Sequence, residues 1–359
     1  MSLPRLLVFN LATDSDDPIL GFGVEWVRAL AARAVCVDVV CMTAGRFELP
    51  DNVAVYSVGK ERGLNEAQRA IQFYRILGRL LQRRRPDACF VHMAPVFAVM
   101  GAPLLRARRV PVTMWYTHAG VPPLLAVAAR LVDTVVTASP ESFGARARRV
   151  VVTGHGVATA LYSPSGTAAR RPVRILSVGR VAPVKRLELL IDAVTTLVHE
   201  TGEHGLEVRI VGPVTELDRP YAERLARRAH EQIPGVVNFV GPMPPAAVVQ
   251  EYRDATVMVN LTGRGSFDKA ALEAMACGVP VVTATPELAQ LEPTLYAPGD
   301  DAEGVARSIG DVLARSASDR EELGGRLREF VVARHSLDRL ADLLVDDLLV
   351  LSVPGQSHR

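Results

Sequence analysis

What most constrains this chain is a rhythm: short β-branched runs alternate with amphipathic stretches, and the pattern occurs twice. In the first half, Arg5–Leu11, Cys36–Thr43, Ala88–Met93, Val112–His118 and Thr134–Ser139 read as strands, and Val24–Arg33 reads as a helix. Runs such as Leu6-Leu7-Val8-Phe9 are apolar without alternation, which predicts strands covered on both faces. The sheet is therefore expected to be parallel and to lie between helix layers.

Between Ala158 and Pro172 the rhythm stops, and Ser163-Pro164-Ser165-Gly166-Thr167 has the composition of a linker. It restarts with strands predicted at Val173–Val178, Leu206–Gly212, Val236–Val240, Thr256–Leu261 and Pro280–Thr283. After Asp300 the pattern is helical, through Ala302–Ala314, Asp319–Ala333 and Leu337–Leu349. The expected organisation is an α/β chain of two Rossmann-like domains, 1–160 and 173–336, joined by a linker at 161–172. A terminal helix and tail, 337–359, is expected to pack back on the first domain. A length of 359 residues suits two domains of about 150 residues each. In open parallel sheets ligands bind beyond the carboxyl ends of the strands, so the strand-to-helix loops are where chemistry is sought.

The net charge of +2 hides an imbalance. Up to Arg174 there are 22 Lys and Arg against 12 Asp and Glu; beyond it, 19 against 27. Arg79, Arg83–Arg85, Arg106, Arg108, Arg109, Arg146, Arg148 and Arg149 supply much of the excess, which suits an anionic acceptor, whether glycan, lipid or small molecule, or peripheral contact with a membrane surface. Nucleic acid is not expected, because no aromatic residues interleave these arginines as stacking platforms. No run approaches the roughly 18 apolar residues of a membrane helix, and Met1–Asp14 lacks the basic start and cleavage site of a signal peptide. The expected location is the cytoplasm, with any membrane contact peripheral at its inner face. Cys36, Cys41, Cys89 and Cys277 form no CxxC and read as buried reduced thiols.

Two segments carry chemistry. Ser177-Val178-Gly179-Arg180-Val181-Ala182-Pro183-Val184-Lys185 leaves one strand and enters a helix predicted over Arg186–Leu197, so Gly179, Arg180 and Lys185 bring an approachable backbone and two cations to a helix start. A diphosphate suits that arrangement. In the second segment the strand Thr256–Leu261 is followed by Thr262-Gly263-Arg264-Gly265-Ser266-Phe267 and a helix over Asp268–Cys277. Backbone N–H groups at Gly265, Ser266 and Phe267 suit sugar hydroxyls or phosphate oxygens, and Glu273 suits a pair of vicinal hydroxyls. Read alone, Asp268 is equally a helix cap and Glu273 equally a solvated helix residue. His92 and His155 read as structural, Trp115 and Tyr116 as core, and Asp14-Ser15-Asp16 as an exposed acidic turn rather than a metal site.

Ile175-Leu176-Ser177-Val178-Gly179-Arg180 with Lys185, and Leu272-Glu273-Ala274-Met275-Ala276-Cys277-Gly278-Val279-Pro280-Val281-Val282, closely resemble the retaining glycosyltransferases of GT-B fold, family 4. Phe239-Val240-Gly241 and Leu295-Tyr296-Ala297-Pro298-Gly299-Asp300 extend the resemblance over most of 173–345. It implies two domains facing across a cleft, C-terminal helices, and transfer of a sugar, commonly a hexose, from a nucleoside diphosphate sugar to an acceptor hydroxyl. No cofactor beyond that co-substrate and no metal is implied. The resemblance also implies retention at the anomeric carbon, with the leaving phosphate itself helping to take the acceptor proton on the same face. By position, Arg180 and Lys185 neutralise the diphosphate, Glu273 holds the ribose, and backbone at Gly241 to Met243 meets the base. Gly265, Ser266 and Phe267 face the donor sugar, Gly23 opens a helix near the phosphates, and His118 reaches the sugar from the other domain.

The chain departs from the family pattern at one telling place: Gly265 stands eight residues before Glu273, where the family carries a Glu. Asp268 then either supplies a substitute carboxylate or caps the helix. Phe22-Gly23 also replaces the family's paired glycines. Two other readings stay open on the residues, an epimerase-like enzyme of the same fold and a nucleotide-sugar-binding protein with little transfer activity.

Overall fold

The structure, a computed structural model, describes residues 3–83, 85–118, 120–165, 173–201, 205–263, 268–298 and 300–349. The chain divides into two compact units, one running to Gly156 and resuming at Ser336, the other spanning Val157–His335.

Unit 1 is built on a parallel sheet of seven strands among the described residues: β1 (Arg5–Thr13), β2 (Cys36–Ala44), β3 (Val53–Ser57), β4 (Ala88–His92), β5 (Val112–Trp115), β6 (Thr134–Thr137) and β7 (Val150–Val152). Their order is β3-β2-β1-β4-β5-β6-β7. Helices α1 (Gly23–Ala31), α2 (Glu66–Arg83), α3 (Pro95–Ala107) and α4 (Pro123–Leu131) cover it. Residues Val24, Val27, Leu30 and Ala31 recur at helical spacing and are all buried, which fixes the inward face of α1. On the α2 face, Phe9, Phe73 and Phe97 meet at ring distances of 5.0 to 5.8 Å.

The chain returns to unit 1 at its end. The terminal helix Leu337–Leu343 lies against α1, with Arg33 paired to Asp338 and Asp342, and Arg339 donating to the Thr153 carbonyl at 3.0 Å. Leu337, Leu340, Leu344 and Val345 are buried there. Gly156 sits beneath them; a Cβ on it would stand 2.9 Å from Leu340 and 2.8 Å from Trp26.

Unit 2 carries β8 (Val173–Val178), β9 (Leu206–Val211), β10 (Val237–Gly241), β11 (Val257–Asn260) and β12 (Val281–Thr283), in the order β10-β9-β8-β11-β12 and parallel throughout. Its helices are α5 (Leu187–Thr201), α6 (Arg219–Gln232), α7 (Pro245–Asp254), α8 (Lys269–Ala276), α9 (Pro286–Ala289), α10 (Ala302–Ala314) and α11 (Ala317–His335). Residues Ala270 to Ala276 of α8 are all buried, as suits a helix so rich in alanine and enclosed by neighbours. Arg328, from α11, donates to the Ala276 carbonyl, satisfying a backbone acceptor at the end of α8, and at 3.0 Å to that of Tyr162.

Helix α11 crosses that end at Gly324, where a Cβ would stand 2.0 Å from the Gly278 carbonyl oxygen. A Gly324→Ala variant is therefore expected to lower unfolding stability by about 1 to 3 kcal/mol through overpacking against backbone. At the neighbouring Gly325 a Cβ meets nothing within 4 Å. Gly325→Ala should raise stability by up to about 1 kcal/mol through helix propensity. Urea unfolding of the pair checks both, and equal effects would contradict the crossing.

Two strands that the rhythm does not announce, β3 and β7, lie at the sheet edges, with Val150 and Val152 of β7 45% and 49% exposed. The strand expected over Val112–His118 ends at Trp115 instead. Cys36 is half-buried rather than buried, unlike Cys41, Cys89 and Cys277.

Candidate active site

At the carboxyl edge of the second sheet, the adjacent strands β10, β9 and β8 run into glycines with positive φ: Gly241 at 86°, Gly212 at 148° and Gly179 at 141°. Only glycine adopts such backbone freely. A Cβ on Gly212 would stand 2.0 Å from the Gly179 carbonyl oxygen, and one on Gly179 would meet Lys185 Cε at 2.9 Å. The bare Gly179 thus leaves room for the lysine stem to fold back over the strand end.

Lys185 closes a single 3₁₀ turn, Pro183–Lys185, and Arg186 after it has φ 50°, so α5 begins at Leu187 rather than Arg186. Proline presets the turn, and the left-handed residue ends it. The lysine is thereby held ahead of the helix and not on its first turn. Its ammonium donates to Asp268 Oδ2.

Asp268 is both cap and counter-ion. Its Oδ1 accepts from the Ala270 amide at 3.2 Å, capping α8, while Oδ2 takes Lys185 and, at 3.1 Å, the Thr262 hydroxyl. Burial by itself would raise this carboxyl, but Lys185 and the Asn260 side chain outweigh it and hold the pKa down to about 2. The group is a carboxylate at any physiological pH. It cannot serve as an acid there, but it fixes a cation from the β8 loop against the helix that follows β11.

Glu273 is buried at 7% exposure, not solvated. The Tyr252 hydroxyl donates to its Oε2 at 3.0 Å and the Lys269 ammonium to Oε1. Burial, then the Glu273 charge, pushes the Tyr252 phenol well above its ordinary value, so it stays a donor. Each carboxylate oxygen keeps a further lone pair for a hydroxyl donor. Arg180 is more open, 55% exposed, with Nε 3.7 Å from Asp218 Oδ2. Met243 packs half-buried on the unit 2 core just beyond Gly241. Gly265, Ser266 and Phe267 lie outside the described residues.

In unit 1, Gly23 is the first residue of α1, and a Cβ there would stand 2.8 Å from Asn10 Nδ2. Glycine therefore lets the helix start approach β1. His118 is exposed beyond β5, bridged to Phe143 outside the named strands. Its Nδ1 accepts from the Gly120 amide at 3.0 Å, which leaves Nε2 as the protonated nitrogen of the neutral ring.

The basic segments lie at the other edge. Arg83, Arg85, Arg106, Arg108, Arg109, Arg146, Arg148 and Arg149 all occupy helix ends or loops leading into β4, β5 and β7, and so gather at the amino edge of the first sheet, away from Gly23 and His118. The arginine surplus gathers at that edge because in a parallel sheet the helix C-termini lead back to the strand starts.

Sequence reasoning did not single out Tyr252, Asn260, Thr262 or Gly212, and marked Lys269 only as atypical for the family. Lys269 had a visible signal, being four residues before Glu273 on one helix. Tyr252, from another helix, had none.

Two parallel α/β units in tandem place the chain in the GT-B fold class. Sucrose-phosphate synthase from Thermosynechococcus elongatus superposes with a TM-score of 0.71 at 19% identity, over 94% of this chain and 96% of that one. The Anabaena protein HepE, in a complex with UDP and glucose, does so with a TM-score of 0.72 at 16% identity, over 96% and 99%. Residues 24–179 match the glycosyltransferase family 4 model and residues 172–315 the glycosyl transferases group 1 model. The chain thus resembles glycosyltransferases over residues 24–315, through two models that each span less than half of it. Among curated relatives, the D-inositol 3-phosphate glycosyltransferase of Acidothermus cellulolyticus is 33% identical over 209 residues, 53% of this chain. That match spans about half, 47%, of the relative's own length. No helix among the described residues is long and apolar enough to cross a membrane.

Proposed function

We propose that the chain transfers a hexose from a nucleoside diphosphate sugar to an acceptor hydroxyl, with retention of anomeric configuration and without a divalent metal. The observation that carries this reading is the Lys185 to Asp268 clasp, which presents a fixed cation at a glycine-lined strand end. Charge grows on the leaving phosphate as the glycosidic bond breaks, and preorganised cations offset it without reorganisation. Lys185 and Arg180 fill that role, Glu273 takes the ribose hydroxyls on its remaining lone pairs, and backbone at Gly241 to Met243 meets the base. Asp268 is then a positioning residue that keeps Lys185 in place. Gly179 brings backbone close to the diphosphate. The HepE complex favours uridine diphosphate sugars as first donors to test, and the relatives' name favours a phosphorylated polyol as acceptor.

The test is a thermal-shift screen of nucleoside diphosphates and their sugars, followed by NMR of the product formed in EDTA. A donor at 100 times its Kd stabilises the folded state by about 2.7 kcal/mol. The expected product keeps the donor's anomeric configuration; an inverted product, or none with any stabilising donor, overturns the reading. Arg180→Ala is expected to cut kcat/KM by about 10- to 100-fold, the worth of one charge-assisted hydrogen bond at a half-open position. Unchanged turnover would remove Arg180 from the site.

A further inference from the structure

We propose that unit 1 carries a second small-molecule site, at the amino edge of its sheet, that binds a small organic phosphate bearing hydroxyl groups. The argument begins with strand alternation. Arg5, Leu7 and Phe9 point to one face of β1, and their register partners Cys36, Asp38 and Val40 share that face on β2. Leu7, Phe9 and Val40 are buried against Phe73 and Leu77 of α2, so this is the helix-covered face. At its amino end, however, the same face carries Arg5, Cys36 and Asp38, with Tyr56 from β3 beside them. Polar residues occupy positions where the pattern calls for core.

They line a cavity of about 440 Å³, closed by Leu80 and Arg83 from the last turns of α2 and by Pro86. That volume falls in the roughly 300 to 1,000 Å³ range of small-molecule pockets. Two guanidinium groups, Arg5 and Arg83, and one carboxyl, Asp38, line the same concave space, and among the described residues no carboxylate stands within 4.0 Å of either guanidinium, so cations outnumber acids there. Guanidinium groups match phosphate oxygens in geometry and charge. The Tyr56 hydroxyl pairs with Asp38, which leaves lone pairs on both to accept from the ligand's own hydroxyls, and Leu80 and Pro86 supply an apolar wall. Burial raises the Asp38 carboxyl, with Tyr56 and Arg5 offsetting part of that rise, which marks a polar group held in a place that disfavours charge.

The site is separate from the strand-end loops of its own unit. Arg5 and Thr13 are the two ends of β1, about 26 Å apart at ~3.3 Å per residue. Its ligand therefore does not compete with anything held at Gly23 or His118.

The experiment uses the whole chain with glucose 6-phosphate, glucose and inorganic phosphate as probes in calorimetry. Arg83 lies on the exposed side of the end of α2, so Arg83→Gln is compatible with folding; Lys185→Ala tests independence from the donor site. The expected result is binding of glucose 6-phosphate by the unaltered chain and by Lys185→Ala, at least tenfold weaker binding by Arg83→Gln, and weaker binding of glucose and of inorganic phosphate. A second readout needs no variant: Cys36 is the half-buried thiol on the cavity wall, and glucose 6-phosphate should slow its alkylation. Undiminished binding by Arg83→Gln, equal affinity for inorganic phosphate, loss of binding in Lys185→Ala, or an unprotected Cys36 would each overturn the proposal.

Discussion

Replacing Lys185 with Ala is expected to slow sugar transfer by about 100- to 1,000-fold, the range for removing one preorganised donor to a developing anion. The effect should exceed that of Arg180→Ala, because Lys185 is held by Asp268 with a side chain only 17% exposed, whereas Arg180 is 55% exposed. The same change strips Asp268 of its main counter-charge. Its pKa of about 2 lies below the ordinary 3.8, so in the intact protein this carboxylate adds stability that is fully present above about pH 4 and is lost as pH falls toward 2. The shift is worth about 2 kcal/mol. Lys185→Ala should abolish that acid-side dependence and lower stability at neutral pH. The double variant Lys185→Met with Asp268→Asn separates the two roles, since removing both charges spares the fold the cost of a lone buried one. It should regain stability measured by urea unfolding but not transfer. Restored transfer would take the lysine out of the chemistry.

The second large effect belongs to folding. Glu251, on α7, accepts from Arg209 of β9 through both oxygens, at 2.6 and 2.7 Å, with 11% and 16% of the two side chains exposed. Arg209 reaches Glu207 at 3.2 Å, and Glu207 pairs with Arg174 of β8 at 3.0 Å, so one network ties two strands to a helix. Glu251→Ala leaves Arg209 buried with one remaining partner, and an expected loss of about 3 kcal/mol sits at the lower end for a broken buried pair. Replacing both residues with Met should be close to neutral, as apolar substitutes of similar volume often are. A single variant costing under about 1 kcal/mol in urea unfolding would show the network to be well solvated.

The double rhythm of the sequence carries the fold because periodicity encodes burial, and burial decides most of this structure. Residues Ala302–Ala314 form the predicted helix residue for residue, and Val173–Val178 the predicted strand. The strands β3 and β7 escaped because edge strands are half exposed and need no continuous apolar run. In the candidate site, local spacing put Gly179 and Lys185 at a strand end and helix start, whereas Glu273 was singled out by the family resemblance and not by spacing. The clasp was not. Lys185 and Asp268 are 83 residues apart, and a pairing at that distance is set by strand order, which periodicity does not carry. Equally, the burial of Glu273 depends on Tyr252, a helix away. The surplus of arginine was plain, but only topology says which edge of the sheet receives it.

The return of the chain at Ser336 has a consequence for biogenesis. Unit 2 is one uninterrupted stretch, Val157–His335, and every strand and helix of it has been synthesised before the ribosome reaches the last piece of unit 1. Unit 1 meanwhile waits, with Trp26 and Gly156 uncovered where Leu337 and Leu340 will lie. Domains generally fold as units during synthesis. The half of the polypeptide made first is thus the half completed last, and a stop codon just after His335 would spare the later-born unit while leaving the earlier one without its closing helix.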